Sequence, residues 1–151
     1  MTFVPDQLRR SVLLLALAGA AGCGSRAAGP ETFPVTGEVL LDGQPVSGAD
    51  ISFLPTADAT DAAPAQAVTD AAGRFVVTSV FDQGRISAPG MRPGSYLIEV
   101  TQLERSATGA SLSRKPSNLL PEKYASAASS GFSTMVAPDG KNHVVLTLTA
   151  R

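Results

Sequence analysis

Few side chains in this sequence are equipped for chemistry, and their spacing limits what they can do. There is one cysteine, Cys23, and one histidine, His143. A histidine acting as base for a serine needs a companion signature such as a G-x-S-x-G elbow, and none accompanies His143. Zinc takes three or four ligands, which one imidazole and one thiol do not supply. Asp58 and Asp61 share a loop and carry the oxygens that calcium prefers, but the alternating acidic run and closing glutamate of a calcium loop are missing. No glycine-rich segment opens a helix to cradle phosphate. These residues predict a chain without catalytic, cofactor or metal sites, and they leave Cys23 as the one reactive group in a defined setting.

That setting is a leader. Arg9 and Arg10 precede an uncharged stretch, Ser11 to Ala21 (SVLLLALAGAA), the size of a signal-peptide core and too short for a spanning helix of about 20 apolar residues. Ala20, Ala21 and Gly22 stand directly before Cys23, and a small, polar run follows to Pro30. The arrangement resembles a bacterial lipobox. Small side chains let the extended backbone enter a peptidase, and the thiol accepts a diacylglyceryl group before cleavage frees its amine. The resemblance implies residues 1–22 as signal peptide, 23–32 as tether, and Cys23 as lipidated N-terminus held to a bilayer by acyl chains, each buried methylene contributing about 0.8 kcal/mol. Gly24 in place of aspartate implies, by the same resemblance, the outer rather than the inner membrane. The Arg9-Arg10 pair also resembles part of a twin-arginine export signal. A plain secretory leader with Cys23 as bystander, or an uncleaved anchor, are the other readings of these residues.

Composition narrows the partners. A formal net charge of -1, with lysines and arginines scattered, offers no electrostatic footprint for nucleic acid. Hydrophobic residues make up 44% of the chain but aromatics only 5%, so the core of a single domain must be aliphatic with a few phenylalanines.

From Phe33 to Arg151 the pattern is short alternating runs punctuated by glycine, proline and aspartate, which predicts strands rather than helices. Val35, Gly37, Val39 and Leu41 share one parity. Asp42 to Pro45 supplies a turn, and Ala49, Ile51 and Phe53 repeat the inward alternation up to Pro55. These two strands are expected to form a hairpin. A loop over 56–64 and a short strand at Gln66 to Val68 follow. The Asp70 to Gly73 turn then leads into a strand with Phe75 and Val77 inward. After the Pro89 to Gly94 turn, Tyr96, Ile98 and Val100 alternate, as do Val144, Leu146 and Leu148 near the C-terminus. About seven strands in this length predict an all-β, antiparallel Greek-key sandwich. The long connection from Gln102 to Ser130 divides in two: Ser106 to Asn118 reads as flexible, and Leu119 to Tyr124 as apolar enough to fold back on the sandwich.

Four blocks in order, Val35 to Val39, Asp42 to Phe53, Thr69 to Phe75 and Pro93 to Tyr96, are similar to the carboxypeptidase regulatory-like domain, whose fold is a transthyretin-like sandwich. The resemblance carries fold, not activity. Transthyretin-like hydroxyisourate hydrolases use several histidines and a C-terminal Tyr-Arg-Gly-Ser, whereas this chain has one histidine and ends Leu148-Thr149-Ala150-Arg151. The expectation is therefore a non-enzymatic, lipid-anchored binding or structural module of the cell envelope, with an envelope protein or glycan as partner. The alternative is a carbohydrate- or peptidoglycan-binding accessory to a separate enzyme, which would call for an exposed aromatic row.

Overall fold

The computed structural model describes residues 30–104, 116–138 and 140–151. The leader, Cys23, and most of the Ser106 to Asn118 stretch lie outside these residues. Among the described residues the chain forms ten strands: β1 (Val35–Leu41), β2 (Gln44–Pro45), β3 (Asp50–Pro55), β4 (Ala65–Val68), β5 (Arg74–Val76), β6 (Thr78–Phe81), β7 (Ile86–Pro89), β8 (Gly94–Thr101), β9 (Phe132–Val136) and β10 (Asn142–Leu148). Two single-turn 3-10 segments, Asp82–Gly84 and Glu122–Ala125, and one helical turn, α1 (Ala127–Ser130), complete it. No described helix is long and apolar enough to cross a membrane.

The strands make a β-sandwich. One sheet runs β10-β1, with β2 and β5 sharing the far edge of β1, and the other runs β7-β6-β4-β3-β8-β9. The alternation of the sequence lands where a pleated strand requires: Val35 and Val39 on β1, Ile51 and Phe53 on β3, Tyr96, Ile98 and Val100 on β8, and Val144, Leu146 and Leu148 on β10 are all buried. Burying one such side chain stabilises the fold by about 1.5–3 kcal/mol. Phe75 packs against Phe53 with ring centroids 6.2 Å apart and lies over Gly37, where an added Cβ would meet its ring at 2.5 Å and strike the Val144 carbonyl. Glycine at 37 thus lets the Phe75 ring and β10 close on β1. Thr32, the last residue of the predicted tether, already joins the sandwich, its Oγ1 donating to the Pro89 carbonyl at 2.7 Å, and Phe33 after it bridges Met91.

Three features differ from the alternation-based expectation. The first two long strands are not a hairpin. Asp42 and Gly43 both have positive φ, 48° and 82°, and turn β1 back onto Gln44 and Pro45 only. Gly48, at φ 70°, then sends the chain to the other sheet, where β3 pairs with β4 and β8. Secondly, β1 and β10 are parallel, Val35 opposite Asn142 through Leu41 opposite Leu148, within an otherwise antiparallel set. Alternation reports which face of a strand is buried but not its direction. Thirdly, the Phe75 strand is two strands. β5 pairs with β1 and β6 with β4, and Val77, fully buried, is the crossing point. Such divisions raise the count from the expected seven.

The second half of the long connection does fold back. Leu120 and Tyr124 are buried in the core, and the Tyr124 ring stacks on Phe132 at 5.4 Å. Tyr124 Oη accepts a hydrogen bond from the Thr149 amide at 2.9 Å, and Lys123 Nζ donates to the Arg151 carbonyl at 2.7 Å. Burial alone would raise the Tyr124 hydroxyl pKa, but hydrogen bonds from Thr149 and Lys123 and the lysine charge outweigh it and hold the value below the ordinary 10.0.

Candidate functional site

The crossing at Val77 opens a groove on the outside of the sandwich. β4 and β6 pair antiparallel through Ala65 opposite Ser79 and Gln66 opposite Thr78. Two residues further the same register would put Val68 opposite Val76, but Val76 has turned away to pair with Thr36 on β1. The sheets part at this point, leaving Val68 at 55% and Val76 at 65% exposure. A groove of about 760 Å³ lies on one side of the two valines, and a hollow of about 520 Å³ on the other.

The groove's rim carries both charge signs and one imidazole. The parallel register of β1 and β10 sets Thr36 beside His143, and Thr36 Oγ1 lies 3.2 Å from His143 Nδ1. Glu38 stands opposite Arg74 in the β1–β5 pairing. Asp70 borders the same space, although its Oδ1 is committed to the turn, accepting from the amides of Ala72 at 2.8 Å and Arg74 at 2.9 Å. This side-chain-to-backbone pattern fixes the turn from within.

A hydroxyl beside an imidazole is the first half of a nucleophile–base pair, whose second half is a group orienting the other ring nitrogen. Among the described residues His143 bonds only to Thr36. What the arrangement supplies is an open, apolar floor with hydrogen-bonding and charged groups along its edges, a composition suited to holding a ligand.

The residues singled out in the sequence are dispersed. His143 borders the groove beside Thr36. Asp61 offers its backbone carbonyl to Arg92 Nη1 at 3.0 Å, and among the described residues no three His, Cys, Asp or Glu side chains gather as metal ligands. Cys23 lies outside the described residues. The groove itself was invisible to spacing because it joins two sheets; the available signal was a valine on the outward parity of each of two neighbouring strands, Val68 and Val76.

Compared with known proteins, the chain matches no family model, no curated protein and no solved structure.

Proposed function

We propose that the protein is a lipid-tethered, non-enzymatic module of the cell envelope, and that its sandwich presents the Val68–Val76 groove to an envelope partner. The run Ala20-Ala21-Gly22 immediately before the lone Cys23 carries the tether. The similarity of four blocks to the carboxypeptidase regulatory-like domain agrees with a role in binding rather than catalysis. The groove supports that role with an exposed apolar floor between charged rims. A sugar-stacking platform finds less support, because Phe53, Phe75, Tyr96 and Tyr124 are buried and Phe33, Phe81 and Phe132 are half-buried.

Metabolic labelling with a fatty-acid analogue tests the tether. The wild type takes up label and Cys23→Ser does not, because a hydroxyl does not replace the thiol as acyl acceptor; equal labelling removes the lipoprotein reading. Val76→Glu tests the groove. Its side chain is exposed, so the fold survives while the apolar floor gains a charge, and envelope material recovered with the wild-type protein is lost. Unchanged recovery with Val76→Glu assigns the partner to another surface.

A further inference from the structure

The β10 strand lies at the rim of its sheet, and among the described residues β1 is its only strand neighbour. The hydrogen-bond parity of this edge follows from one contact: the Asp42 amide donates to the Leu148 carbonyl at 2.9 Å. In a parallel ladder alternate residues bond to the same neighbour, so the backbone groups of Val144, Leu146 and Leu148 face β1. Those of His143, Val145 and Thr147 face outward from the sheet edge. The next donor in this outward row, the Thr149 amide, is already taken by Tyr124 Oη. At the other end Asn142 Oδ1 accepts from the Ala137 amide at 3.0 Å. Among the described residues the Tyr124 side chain thus closes the C-terminal end of the edge, and within β10 a window of three residues, with three N–H and three C=O groups, faces outward. An open edge of this kind, with no proline or lysine within Asn142–Leu148, is a template for another strand.

The sequence in the window matches itself when reversed. With Val145 placed opposite Val145 of a second copy, His143 faces Thr147 on the outer side and Val144 faces Leu146 on the inner side. Polar meets polar, apolar meets apolar, and no two like charges oppose one another. The outward parity of all three window residues makes each opposed pair a doubly hydrogen-bonded one. The residue at the centre of the window also carries apolar surface: Val145 is 48% exposed.

We propose that a second copy of this chain is the occupant: two molecules join β10 to β10 antiparallel about Val145, continuing one sheet across a two-fold axis. This surface is distinct from the groove.

Cysteine placement tests the register in the full-length protein, isolated from membranes in mild detergent. A doubly hydrogen-bonded antiparallel pair has its Cα atoms about 5.5 Å apart, within the range of a disulfide. Val145→Cys therefore forms a disulfide-linked homodimer on mild oxidation. Thr147→Cys faces His143 of the second copy, with its own counterpart four residues along, roughly 13 Å away at strand spacing, and so cross-links at least about tenfold less by the limit on disulfide reach. The wild type, with Cys23 alone, sets the background. Sedimentation gives a second readout: the wild type has the mass of a dimer, and Val145→Lys, which sets lysine against lysine at the axis, has that of a monomer with an unchanged circular dichroism spectrum. A monomeric wild type, equal cross-linking at 145 and 147, or a cross-linked product containing another polypeptide overturns the proposal.

Discussion

Two excursions from the sheets are held in opposite ways. The chain between β4 and β6, residues 69–77, starts from a turn closed by its own members: the Asp70 carboxylate bonds to Ala72 and Arg74 two and four residues on, and Gly73 adopts φ 73°, before β5 pairs with β1. The chain between β8 and β9 is secured by strangers. Tyr124 and Lys123 reach Thr149 and Arg151, and Asn118 Oδ1 accepts the Gln102 amide at 2.9 Å across the neck of the connection. Self-contained turns can form early because little loop-closure entropy opposes them, whereas a strap depends on partners that must already be folded. The first excursion is therefore expected to lose stability mainly when its anchor in the core is cut, and the second when its distant hydrogen bonds are cut.

Phe75→Ala is the most damaging of these changes. Phe75 is buried and fills space that Gly37 leaves open beneath its ring, so truncation removes transfer energy and leaves a cavity, together about 3–5 kcal/mol. Against a domain stability of about 5–15 kcal/mol, the denaturant midpoint should fall sharply. A loss under about 1 kcal/mol, the scale of a surface change, would mean that the turn and not the ring positions β5, and the contrast between the two excursions would collapse.

The turn of the first excursion was legible in the sequence for the same reason that it closes on itself. Asp70, Gly73, Phe75 and Val77 are all within eight residues, and turn chemistry plus parity is enough to place Phe75 and Val77 inside. The faces of β3, β8 and β10 were legible likewise. Sheet membership was not. Nothing local in Val35 to Phe53 tells β1 that its long partner is β10, more than a hundred residues away and parallel, instead of the strand that follows it. The Thr36–His143 contact and the groove depend on that remote pairing and on the crossing at Val77, so no spacing rule brought them together. The strap's inward fold was foreseeable from Leu120 and Tyr124, but its polar ties to Thr149 and Arg151 were not, because lysine and tyrosine accept many partners.

Tyr124→Phe probes those ties with little change of shape. The ring keeps its stack on Phe132 and loses only the hydroxyl, leaving the Thr149 amide without its partner. An unpaired, part-buried N–H costs about 1–3 kcal/mol. The loss should appear as faster amide exchange at Thr149 and Ala150 as well as a lower midpoint. If exchange there is unchanged, the strap is held by packing alone and the two excursions differ less than their hydrogen bonds suggest.

The smallest effect is expected at Asp70, and it separates charge from geometry. Asp70 Oδ1 accepts two backbone amides, but Ala72 and Arg74 are exposed, so water replaces a lost acceptor and the net cost of Asp70→Ala is about 1 kcal/mol, the ordinary worth of a hydrogen bond once exchange with water is counted. Asparagine keeps an oxygen at the same position and forms the same turn. Asp70→Asn should therefore stay within about 0.5 kcal/mol of the wild type, the usual range for exposed substitutions. Urea titration of the three chains in parallel decides the matter. Should Asn fall as far as Ala, the carboxylate's charge would be the stabilising element, acting on the cation of Arg74 across the turn; added salt would then narrow the gap, since exposed charge pairs are screened within a Debye length of about 10 Å at 0.1 M. With asparagine matching the wild type and no salt dependence, the turn is fixed by the position of one oxygen, and the carboxylate charge that borders the groove is left over for a ligand.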